Sequence, residues 1–190
     1  MSNGHRLTQA ELSRLSTAFH EAGHAVAAVV LGGRVHGSVL DDEHPHTEFD
    51  TLPAGTDPAV SLAGPWCEAR WTLGRSPGPA DNRRILAAHT SDDRALCAAG
   101  GWAAGASVVP LLERCWPAVK AVTSRLYFHG RAEHADVCAA LGLTDDGGPA
   151  SLGLAMIRSG AAPGAFTITK PVAANVGSPF RSVDRINLDG

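Results

Sequence analysis

The sequence has few aromatics, almost no lysine and no long apolar run. Phe, Trp and Tyr make up 5% of its 190 residues, so a core has to come mainly from Ala, Val and Leu. The 44% hydrophobic content is enough for that and argues against a wholly disordered chain. Lysine occurs only at Lys120 and Lys170, and no G-x-x-x-x-G-K-[ST] phosphate loop is present, which excludes an ATPase of that type in this sequence. Sixteen basic against nineteen acidic residues leave a formal charge of −3, which is unlike a chain that coats nucleic acid, and no nucleic-acid partner is expected. The longest uninterrupted apolar run covers residues 25–31, far short of the roughly 20 residues of a membrane span. The first 17 residues lack an apolar signal core. The expectation is a cytoplasmic protein with no membrane partner. Cys67, Cys97, Cys115 and Cys138 form no C-x-x-C pair, which excludes a zinc ribbon and predicts reduced, buried thiols.

Helical periodicity dominates what is present. Residues 7–31 carry Leu12, Leu15, Phe19, Ala22, Val26, Val29 and Val30 at three- and four-residue spacing, behind a Thr8/Glu11 capping box and ahead of Gly32-Gly33. Residues 34–40 read as a strand weakened by Gly37, and 41–56 as a polar loop. A second helix is predicted from Asp57-Pro58 to Leu73, kinked or begun late because of Gly64-Pro65. Residues 81–99 read as a single third helix, 107–128 as mostly helical, and 131–141 as a last short helix. These readings place one domain at 1–143. Beyond it, Gly, Pro, Ser and Ala dominate, and 144–190 reads as a flexible tail with one short strand at 164–172.

The chemistry concentrates in Phe19-His20-Glu21-Ala22-Gly23-His24-Ala25, an H-E-x-x-H motif inside a helix. The i, i+4 spacing puts His20 and His24 one turn apart on one side, where both imidazoles can reach one ion. A catalytic zinc takes three protein ligands and keeps one position open. Glu21, beside the pair, has the place of a general base that accepts a proton from water and returns it to a leaving amine. Gly23 costs about 1 kcal/mol in a helix interior, so the close approach of another backbone is expected there.

The segment HEAGHAVAAVVLGG resembles the zinc helix of the peptidase domain of FtsH-type AAA+ proteases. The likeness extends to residues 61–69 (SLAGPWCEA), similar to that family's second helix, and to Gly78-Pro79-Ala80-Asp81-Asn82, similar to the segment holding its third zinc ligand. It covers roughly residues 12–89. Pro65 and Trp66 depart from the family's small, helix-favouring residues, and the ATPase module and membrane anchor have no counterpart here. The resemblance implies a mainly α, zincin-like helical metallopeptidase domain with at most a small β element. It implies zinc held by His20, His24 and Asp81, with Glu21 catalytic. Glu68 is either an alternative ligand or the residue that orients an imidazole. His44, His46 and Glu48 stay open as third ligands, whereas His89, Asp92 and Asp93 read as surface of the third helix. The expected activity is zinc-dependent hydrolysis of peptides or unfolded protein segments, with a homo-oligomer or a separate ATPase as partner left open. The alternative is a non-catalytic zinc-binding regulatory or interaction module.

Overall fold

A computed structural model of the protein describes residues 7–50 and 52–165. Helices account for 61% and strands for 7%, so the fold is mainly α, as expected. Helix α1 (Gln9–Val30) runs through the middle of it. Thr8 caps it reciprocally: Thr8 Oγ1 accepts from Glu11 N–H and the Glu11 carboxylate accepts from Thr8 N–H. Only the first half of α1 is amphipathic. From Ala18 to Val30 every residue except His24 is buried, the pattern of a helix surrounded by others.

A three-stranded antiparallel sheet of order β2-β1-β3 lies against α1, formed by β1 (Val35–Val39), β2 (His46–Phe49) and β3 (Arg131–Ala132). Gly37 falls at an irregularity in the β1–β2 register, where Ser38 faces Thr47 and Val39 faces His46. The loop expected over 41–56 therefore contains β2. Helix α2 (Asp57–Leu73) crosses α1 and continues through Pro65 without interruption. Its closest approach is at Gly23, where a Cβ would lie 2.5 Å from the Ala63 carbonyl oxygen. That is the neighbouring backbone expected from the glycine's cost in α1.

The single helix predicted over 81–99 is two helices, α3 (Pro79–Leu86) and α4 (Thr90–Ala98), joined by a turn that ends at His89. His89 has φ −115° and ψ 82°, outside the helical region. Helices α5 (Trp102–Gly105), α6 (Val109–Arg114) and α7 (Trp116–His129) follow, with a short 3-10 turn between α5 and α6. After β3 come α8 (His134–Ala140) and α9 (Leu152–Ser159). Helix α9 departs from the flexible tail read at 144–190 for the part up to residue 165, the rest lying outside the described residues: Leu154 and Ile157 are fully buried in the core, and Arg114 donates to the Ile157 carbonyl at 2.7 Å. The strand read at 164–172 lies almost wholly outside the described residues. Cys67, Cys115 and Cys138 are buried as expected, and Cys97 is exposed. Burial pushes the Cys115 and Cys138 thiols up to about 11.

Candidate metal centre

The two histidines of α1 turn the same edge toward one point. His24 Nδ1–H donates to the Val60 carbonyl of α2 at 2.8 Å, and His20 Nδ1–H donates to Glu68 Oε2 at 3.2 Å. With both Nδ1 atoms used as donors, Nε2 of each ring is the atom a metal can take, and these two atoms stand 3.0 Å apart. Asp92 Oδ2 completes the triangle, 3.3 Å from His20 Nε2 and 3.7 Å from His24 Nε2. Three acceptors at this spacing repel one another unless a cation stands among them. Metal bonds of 2.0–2.1 Å in tetrahedral geometry separate donors by about 3.3–3.4 Å, so the three atoms fit one divalent ion of zinc size.

Without a metal, a proton plays that part. Burial lowers the proton affinity of His20, but hydrogen bonds to Asp92 and Glu68 and the charge of Glu21 outweigh it and raise its pKa to about 9. Burial likewise opposes ionisation of Asp92, yet its hydrogen bonds to His20 and His24 hold it well below the usual carboxylate range. Glu68 follows the same logic: burial raises its pKa, and the bonds from His20, His89 and Ser16 overcome this and lower it to about 2. The pocket is built to hold positive charge.

Asp81 is not part of this cluster. Its Oδ2 accepts from Gly78 N–H at 3.0 Å and from Arg75 at 2.9 Å, which ties it to the start of α3. Asp92 occupies the place expected for Asp81. The chain breaks at His89 and a new helix starts at Thr90, and from the first turn of that helix Asp92 reaches His20 and His24 of α1. The sequence does contain the signal, because His89-Thr90-Ser91-Asp92-Asp93 is a cluster of residues that favour helix starts. Glu68 lies behind His20 and orients its ring, one of the two roles expected of it. Of the loop candidates, His44 donates its backbone N–H to Asp41, and His46 and Glu48 pair with each other at 3.8 Å. None of them joins the triangle.

Glu21 is 5% exposed and sits in the same cleft, a space of about 470 Å³ that also exposes His20, His24, Thr47 and Asp92. Thr47 Oγ1 donates to Glu21 Oε2 at 2.7 Å and lies 2.8 Å from Ser38 Oγ. The Glu21 carboxylate takes the Thr47 proton, so Ser38, fully buried on β1, donates to Thr47. The sheet thus fixes one Glu21 oxygen by a hydroxyl pair. Gly64 keeps the α2 side open: a Cβ there would overlap the His24 ring.

Residues 6–65 match the family model Peptidase M50B-like. The match supports a metallopeptidase family and does not single out the FtsH type. It spans α1 with His20, Glu21 and His24, the β1–β2 hairpin with Thr47, and α2 as far as Pro65, and it ends before Glu68, His89 and Asp92. No curated protein matches the chain. Among the described residues no helix is long and apolar enough to cross a membrane.

Proposed function

We propose that the protein is a zinc-dependent peptidase in which His20, His24 and Asp92 hold the metal and Glu21 moves the proton. The observation that supports this reading most is the convergence of two Nε2 atoms and one carboxylate oxygen within 3.0–3.7 Å, in a cleft that Glu21 also lines. Zinc at that point would supply Lewis acidity toward a peptide carbonyl and make water easier to deprotonate.

The chain's own residues then divide the work. Thr47 fixes Glu21 Oε2, which leaves Oε1 to accept a proton from water as its oxygen attacks the carbonyl carbon. Glu21 returns that proton to the amide nitrogen as the C–N bond breaks, giving a carboxylic acid and an amine, and the acid's proton then passes to the amine to leave carboxylate and ammonium. Glu68 and the Val60 carbonyl hold the two imidazoles in the tautomer that leaves Nε2 available. The substrates in this reading are peptides or unfolded protein segments, whose backbone can enter the cleft lined by His20, Glu21, His24 and Asp92.

Comparison of Glu21→Gln with His20→Ala tests the reading. The first variant should retain stoichiometric zinc and lose cleavage of an unstructured peptide library, and the second should lose both. A zinc-loaded wild type that cleaves no peptide would favour the non-catalytic zinc module instead, and one arrangement around the site gives that alternative a physical basis.

A further inference from the structure

We propose that His89 is a fourth protein donor to the same ion, able to close the coordination position that a hydrolytic site leaves to solvent. The inference rests on the reading of His20, His24 and Asp92 as metal ligands. His89 is the N-cap of α4, so it and Asp92 leave the same turn of chain. A single oxygen, Glu68 Oε2, accepts from His20 Nδ1–H at 3.2 Å and from His89 Nε2–H at 2.7 Å. One carboxylate therefore faces two imidazoles, and in each the nitrogen turned away from it is the one a metal can take. The two rings lie one over the other, with centroids 4.3 Å apart and planes 35° from parallel. Ligand atoms of His20, His89 and Asp92 all fall within 4.8 Å of one another. A solvated surface histidine has none of this arrangement.

Four donors on one tetrahedral ion stand about 3.3–3.4 Å apart, closer than the 4.8 Å within which these atoms fall, so the proposal has the His89 ring turn toward the ion when it binds. With three protein donors the site has an open position, and with four it has the pattern of a closed structural site.

X-ray absorption on zinc-loaded protein counts the imidazoles directly. Three imidazole donors are expected in the substrate-free wild type, where His89 fills the position that water and substrate take during turnover, and two in His89→Ala, with zinc affinity, measured by chelator competition, at least about tenfold weaker in the variant. The wild-type count stands even if the variant does not fold. Two imidazoles in the zinc-loaded wild type would overturn the role of His89 and leave the three-ligand reading standing. A wild type that binds no zinc would overturn both.

Discussion

Asp81 and Asp92 both occupy the third position of a short helix, one in α3 and the other in α4, and they do opposite things. Asp81 turns back to the start of its own helix, where Gly78 N–H and the exposed Arg75 hold it. Asp92 turns away from its helix, toward two histidines of α1. Both carboxyls sit below their usual range, but for different reasons. In Asp81 the leading cause is the backbone N–H of Gly78, then Arg75. In Asp92 it is the pair of imidazoles acting against burial. Equal helical position and equal charge therefore leave function undetermined, and the turn between the helices decides which aspartate meets the metal site.

The sharpest way to break this comparison is to remove each carboxylate in turn. Asp92→Ala should lose zinc and reduce peptide cleavage to background, read by metal analysis and kinetics. Asp81→Ala should keep zinc and activity and lower only the melting temperature, because it loses a cap and no ligand. The reverse result would restore the assignment that the sequence resemblance implies.

That assignment went astray at a definable place. The α1 side of the site is legible because its signals are contiguous: the capping box, the apolar spacing and the H-E-x-x-H motif lie within one helix, and Gly23 announces the crossing of α2. The α4 side is not, because Ile85, Leu86, Ala88 and Leu96 keep an apolar rhythm across the break and the helix-start cluster at 89–93 is easily read as mid-helix surface. Strand β2 escaped because His46-Thr47-Glu48-Phe49 alternates with little apolar content and sits at a sheet edge. Thr47 reaches Glu21 only through that edge, a pairing no local pattern shows. Helix α9 escaped because glycine and alanine hide its two core anchors, Leu154 and Ile157.

A second substitution separates the ligand geometry from helix stability. Alanine for glycine inside a helix ordinarily gains about 1 kcal/mol. Gly64→Ala should do the opposite for the metal, because the new Cβ displaces the His24 ring. Helical content by circular dichroism should persist while zinc affinity falls by one to two orders of magnitude, on the order of 1.4–2.8 kcal/mol.

A smaller effect is expected on the proton-transfer side. Thr47→Val keeps the shape of the side chain and removes the hydroxyl bonded to Glu21 Oε2. The value of kcat should fall about tenfold to a hundredfold with KM and zinc content unchanged, as a lost general-base orientation predicts. Thr47→Ser should restore it. An equal drop in zinc content would place Thr47 in the fold of the site and not in positioning the base.

The smallest effect lies with Asp81 itself. Its folded-state pKa is lowered, so its contribution to stability is present above the unfolded value near 3.8 and is lost as pH falls through the folded value. The difference in unfolding free energy between wild type and Asp81→Asn should be constant from about pH 5 upward and shrink below about pH 4. Denaturant titrations of metal-free protein across that range check the sign, and a difference that grows on acidification would contradict it.

The account depends most on whether Asp92 or Asp81 joins His20 and His24 on the ion. An anomalous difference map at the zinc absorption edge, from crystals of zinc-loaded protein, tests this directly. The account predicts one peak at about 2.0–2.2 Å from His20 Nε2, His24 Nε2 and Asp92 Oδ2. A peak that includes Asp81 in place of Asp92, or no peak between the two histidines, would contradict it.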